Sequence, residues 1–322
     1  MPQMGTFPMV PHMVNFVATT SAVCFLALVL VGLRIYTRII MRAGVGWDDW
    51  FIMVSMALCI GLLAVEGILC TSGIGYHVDE VRGNEVFLIQ MITVHDLIFV
   101  FATLMNEFSI LSFYERVFST SRKLRIISRI FNGFFVIWAI VSITELFVVC
   151  HPDLSSEGDS CKRGTVLGES SALTVVGDVV VLILPLPSIW KLNAKLHTKV
   201  KITALLLLGV FTLAIAILRY TSVLRQDSND VDFTMRTQDS LGWAGLEPNL
   251  GIFCASLPMV QNLFADWKER LTRRLKPMMN PLRNNSGRET RTVRGGTQGA
   301  STPLGDRSAQ YSWYISSGGD SV

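Results

Sequence analysis

Charge is scarce in this chain, and the chemistry it leaves out narrows the reading first. Only 16% of the 322 residues are charged while half are hydrophobic; a soluble domain is nearer a quarter charged. There is no Walker lysine motif, no HExxH and no His/Cys pair at metal-ligand spacing, so nucleotide, zinc-protease and metal chemistry have no motif to stand on. Nucleic-acid binding has no support beyond basic residues that membrane sidedness explains. The leader MPQMGTFPMVPH lacks the basic segment of a cleavable signal, so the apolar run after it is expected to remain as a span.

What the chain does have is long apolar runs, at roughly 13–33, 48–70, 86–111, 130–149, 170–190, 202–220 and 241–263. The first and sixth carry no charge at all until their ends; the third, fifth and seventh carry charges and are the weaker members. An all-α integral membrane protein follows, a seven-transmembrane-helix bundle. Lys and Arg gather in alternate linkers: Arg34, Arg38 and Arg42, then Arg116 to Arg129, then Lys191 to Lys201, then Lys268 to Lys276. The positive-inside rule puts those linkers in the cytoplasm, with the N-terminus outside and the C-terminus inside.

The expected organisation is a short extracellular N-terminus (1–12), the transmembrane domain (13–263), an amphipathic juxtamembrane helix (264–279) and a disordered cytoplasmic tail (280–322). Phe264, Trp267, Leu271 and Leu275 share one face of 264–279, with basic residues on the others. That suits a helix lying on an anionic leaflet; an ordinary basic flank is the plainer reading. The tail is rich in Asn, Ser, Gly, Thr and Arg, the composition of disorder. Its sequon at Asn284 would face the cytoplasm and carry no glycan.

Of six cysteines, Cys24, Cys59 and Cys254 fall inside spans, where a thiol serves as a small hydrophobe. Cys70, Cys150 and Cys161 fall at the outer face, where disulfides persist. Cys150 and Cys161 bracket a short loop and form the preferred pair. Cys70 could instead take one of them.

Acids inside spans are costly, at roughly 2.5–3.5 kcal/mol each near a helix centre. This chain places Glu66, Asp96, Glu145, Asp178 and Glu247 there, together with His95 and Arg219. Counting about 1.5 Å per residue from the outer ends puts Asp96 and Asp178 near the midplane and the other carboxylates nearer the outside. An outward-opening acidic vestibule floored by Asp96 and Asp178 accounts for the set. Hydrogen bonding within the bundle would account for part of it. Arg219 is placed to pair with Glu247, or to hold an anionic ligand. A desolvated carboxylic acid kept neutral can donate a hydrogen bond or act as a general acid. His95 adjoins Asp96 in sequence but points about 100° away on a helix, so adjacency alone makes no dyad. Pro185 and Pro187 are expected to kink the fifth helix. No span contains a lysine, which rules out a retinal Schiff base; no cofactor is expected.

Six segments in order resemble the fungal rhodopsin-domain integral membrane proteins, a group that includes appressorium receptor-like proteins and a satratoxin-cluster membrane protein. They are GWDDWFIMV, GIGYH, FSILSFYERVF, CHPDLSSEGDSC, DVVVLILPLPSIWKL and LEPNLGIFCASLP. The resemblance runs from about Arg34 to Leu263. It implies that Asp48, Asp49, His77, Asp178, Arg219 and Glu247 occupy family positions, with Asp96 where the family usually shows an acid. Glu107 stands where a lysine is common; the plain expectation is that it pairs with basic residues near the inner face. The resemblance further implies an orphan receptor-like role, often alongside secondary-metabolite genes.

Two functions follow from these residues. A receptor would bind a small molecule or lipophilic metabolite among Asp96, Asp178, Arg219, Glu247, Glu66, Glu145 and His77, and signal to a cytoplasmic partner. An enzyme, a membrane-embedded cyclase or isomerase, would use Asp178 or Asp96 as general acid and Glu247 as base. Transport lacks the expected inverted repeats. The lipid bilayer is a partner in every reading, at the plasma membrane or an endomembrane.

Overall fold

A computed structural model of the chain describes residues 7–8, 10–40, 44–77, 80–81, 84–117, 122–148, 163–184, 196–225 and 233–279. Among them are seven helices and no strand: α1 (Pro11–Ile40), α2 (Trp47–Thr71), α3 (Glu85–Val117), α4 (Arg122–Val148), α5 (Arg163–Ile183), α6 (Leu196–Leu224) and α7 (Phe233–Met279). The chain divides into two compact units, Met1–Lys268 and Glu269–Val322. The second unit contributes the helical stretch 269–279 to the described residues.

Five helices are long and apolar enough to cross a membrane: α1, α2, Val86–Arg116 of α3, Arg122–Phe147 of α4 and Leu206–Leu224 of α6. The third qualifies despite its charges. The fifth falls short, with Ser171–Ile183 as its apolar stretch. It starts and ends earlier than its hydropathy suggests, stopping at Ile183 two residues before Pro185. The residue ahead of a proline is pushed out of the α region, which is the local reason for that stop. Pro185 and Pro187 themselves, and hence the expected kink, lie outside the described residues.

Large apolar side chains point outward. Phe25 on α1, Ile130 on α4 and Leu207 on α6 are 68%, 63% and 66% exposed. A surface of this kind fits hydrocarbon rather than water. At the α1–α2 turn the exposed residues include Tyr36, Trp47 and Trp50, side chains that favour the level of lipid headgroups.

Inside, neighbouring helices pack in sequence order: α1 on α2, α2 on α3, α3 on α4, α4 on α5 and α5 on α6. One apolar cluster joins Leu62, Phe99, Leu111, Phe135, Trp138 and Val181. Another joins Ala27, Ile52, Cys59 and Ala102 to Ile252 and Ala255, bringing α7 between α1 and α3. Small residues on α7 permit that approach. A Cβ on Gly242 would lie 2.3 Å from the Phe16 ring, and one on Gly251 would lie 2.7 Å from Asn106 Nδ2.

Candidate functional site

Two sets of buried polar groups lie at different levels of the bundle. The first lies where α1 ends and α2 begins. Arg34 and Arg38 are four residues apart on α1 and so share a face. Asp48 and Asp49 open α2, where acids also favour a helix N-terminus. Arg34 Nε donates to Asp49 Oδ1 at 2.8 Å, and its Nη2 donates to Asp48 Oδ2 at 2.5 Å. Arg38 Nη2 reaches Asp48 Oδ2 at 2.6 Å, and its Nε lies 2.9 Å from Asp49 Oδ2. Arg34 Nη1 donates to the Ala255 carbonyl of α7. From α3, Ser109 Oγ donates to the Asp48 carbonyl at 2.8 Å and Arg116 Nη1 approaches Asp48 Oδ1 at 3.4 Å. Asp49 also accepts the Gly46 N–H at 3.0 Å, which caps α2.

This clasp ties four helices together, and both Arg34 and Asp49 are fully buried. The sequence presented Arg34 and Arg38 as markers of membrane sidedness, and their structural use was missed. The available signal was the four-residue Arg spacing followed at once by an acid pair. One turn deeper, Asn106 Nδ2 donates to the Pro248 carbonyl at 2.6 Å and Ser55 Oγ donates to Asn106 Oδ1 at 2.9 Å.

The second set lies towards the end where α4 and α6 finish and α5 and α7 begin. Arg219 of α6 Nε donates to Glu247 Oε2 of α7 at 2.6 Å, and its Nη1 donates to Ser171 Oγ of α5 at 2.9 Å. Its guanidinium carbon sits 4.5 Å from the centre of the Phe99 ring of α3, close enough for a cation–π contact. Four helices therefore fix one guanidinium. Its remaining nitrogen, Nη2, is buried with no hydrogen-bond partner among the described residues. Glu247 lies about four turns into α7, roughly 21 Å at 1.5 Å per residue, because the helix starts at Phe233. It is deeper along its helix than the apolar run alone suggested.

Beside Arg219 is a cleft of about 50 Å³, bounded by α3 to α7. Asp96, Phe99, Trp138, Ser142, Ser171, Thr174, Arg219, Ser240 and Ala244 line it. It has room for waters or for the end of a small molecule, well short of a pocket that engulfs a drug-sized ligand.

The other expected site residues divide around this cleft. Asp178 of α5 is half-buried and lies within electrostatic reach of Glu107 of α3. The expectation that Glu107 pairs with basic residues is thus corrected: its partner is an acid, because α3 turns it towards α5. Glu66 is fully buried on α2, with Oε1 3.5 Å from His95 Nε2. His95 Nδ1 is 3.6 Å from Asp96 Oδ1. Side-chain reach overcomes the 100° offset between neighbours, so His95 stands between two acids. These are ion-pair distances; both nitrogens of His95 and both oxygens of Glu66 lack well-formed hydrogen bonds. Glu145 is half-buried on α4 and His77 is exposed after α2; neither is among the described cleft-lining residues.

Cys24, Cys59, Cys70 and Cys254 are free thiols. The alternative pairing through Cys70 is therefore not made. Cys150 and Cys161 lie outside the described residues.

The fungal rhodopsin domain model matches residues 33–266, a stretch that includes the whole clasp and every residue lining the cleft. No curated protein and no solved structure matches the chain. With a match over well more than half its length, the chain is a multi-pass membrane protein of the fungal rhodopsin domain family.

Proposed function

We propose that this protein is a receptor-like seven-helix bundle, N-terminus outside and C-terminus in the cytoplasm, that binds a small molecule in the cleft between α3 and α7. The observation carrying the reading is Arg219, held by Glu247, Ser171 and Phe99 beside a cleft that also contains Asp96. Such a guanidinium is preorganised for a ligand. The orientation is supported by Arg34, Arg38 and Arg116, basic residues that gather at the clasp. Ligand occupancy would be felt by α3, α5, α6 and α7 together and passed towards the basic inner linkers and a signalling partner. Family resemblance supports a link to fungal secondary metabolism.

The enzyme reading ranks second. It needs an acid and a base facing one substrate, yet Asp178 is engaged with Glu107 and Glu247 with Arg219. Asp96 is the one carboxyl among the described cleft-lining residues. Metabolite profiling separates the two. The gene is deleted and then restored as wild type or as Asp96→Asn. Broad pathway shifts with transcript changes, corrected by wild type alone, are expected for a receptor. A single accumulating intermediate would overturn that reading in favour of catalysis.

A further inference from the structure

The same cleft carries information about what it admits, given the reading of it as a ligand site. Arg219 Nη2 offers a buried donor with no partner among the described residues. Arg219 itself is already neutralised by Glu247 at 2.6 Å. Asp178 lies in the electrostatic field of Arg219, Glu107 and Glu247. Asp96 adds a further carboxyl at the cleft wall, with His95 behind it. Counting these groups leaves no uncompensated positive charge beside the cleft, so an anion entering it would meet carboxylates without a free cation to offset its desolvation.

Acceptors are present as well. Pro248 has no N–H, so the carbonyl of Ala244, one turn earlier, loses its usual helical donor. Ala244 and Asp96 both line the cleft. The walls are aromatic, from Phe99 and Trp138. A guanidinium, a carboxyl-bearing residue, a helix turn short of one donor and two rings thus border one small volume.

We propose that the cleft selects an uncharged ligand through a group bearing both a hydrogen-bond acceptor and a donor, of the primary-amide or hydroxy-carbonyl class, attached to an apolar body. The acceptor oxygen takes the Arg219 Nη2 hydrogen, and the donor serves Asp96 or the Ala244 carbonyl. The apolar body lies against Trp138 and leaves by the open side.

Three probes of one size test this: benzamide, benzoate and benzylamine, added to the full chain in lipid nanodiscs and followed by saturation-transfer NMR. Benzamide is expected to bind about tenfold better than either charged probe, the worth of one satisfied buried hydrogen bond. Ser240→Leu, which fills the cleft from a half-buried position, should abolish the signal. Arg219→Lys keeps the charge but removes the fork, and should weaken benzamide by a similar factor. If Arg219→Lys does not fold, Ser240→Leu alone keeps the test decisive. Benzoate binding as well as benzamide, or benzylamine binding best, with either signal lost in Ser240→Leu, would overturn the ligand class and leave the cleft as a ligand site. No cleft-dependent signal from any probe would overturn both.

Discussion

Arg34 is the residue at the centre of the clasp. It is fully buried, contacts Asp48, Asp49 and the Ala255 carbonyl, and so joins α1, α2 and α7. Removing one partner from a buried ion pair strands the other, at a cost of about 3–5 kcal/mol. Arg34→Ala is therefore expected to lower the melting temperature of the purified protein sharply. Arg34→Ala with Asp49→Ala should recover part of the loss, since neither charge is then left alone. An Arg34→Ala protein that melts with wild type would show that the clasp contributes nothing. The sequence displayed these residues but not their contacts. A cation at a span end reads as a topological flank, and only the packed position of α7 reveals that Arg34 faces inward. The acids were legible as a group because each is expensive in a span. Their pairing was not, because Glu107 meets Asp178 only through the rotation of α3 against α5.

At the scale of elements, α7 fits among its neighbours because it presents glycine where they come closest. A Cβ on Gly245 would sit 1.8 Å from Glu66 Oε1 and 2.7 Å from its Cδ. Glu66 is fully buried between α2 and α7, so its carboxyl cannot swing out into water. Gly245→Ala is expected to reduce folded yield and thermal stability, with overpacking of this kind costing about 1–3 kcal/mol. Gly245→Ala combined with Glu66→Ala should restore much of it. Gly133 of α4 provides the contrast, since nothing lies within 4 Å of its added Cβ. Gly133→Ala should leave stability unchanged or raise it by up to about 1 kcal/mol, the helix-propensity difference. Equal losses at both positions would contradict the close approach of α7 to Glu66. The helices themselves were largely legible, since long apolar runs announce them. Their ends were not: α5 is displaced towards its N-terminus by the proline pair, and α7 begins eight residues before its apolar run at 241.

At the scale of the whole molecule, the clasp and the cleft lie at different levels of the bundle, and the receptor reading depends on which of them faces outward. In the proposed orientation the clasp end faces the cytoplasm, and the cleft would then be reached from outside, where Cys150 and Cys161 are expected to meet an oxidising compartment. Two measurements bear on the same orientation through different chemistry. A glycosylation sequon placed ahead of Met1, on a spacer long enough to reach the transferase, is expected to acquire a glycan. The natural sequon at Asn284, beyond the last helix, is expected to remain bare. Peptide mapping of the unreduced protein should then find Cys150 joined to Cys161, while Cys70 stays alkylatable once the protein is unfolded, as its free and buried thiol implies. A glycan at Asn284 with a bare N-terminal tag would invert the bundle. The cleft would then face the cytoplasm, and a ligand made inside the cell would replace an external signal. A glycosylated N-terminus with Cys150 and Cys161 both reduced would keep the orientation and leave the segment between them unclosed. The tag is therefore the measurement that decides between sensing the surroundings and sensing the cell's own metabolites.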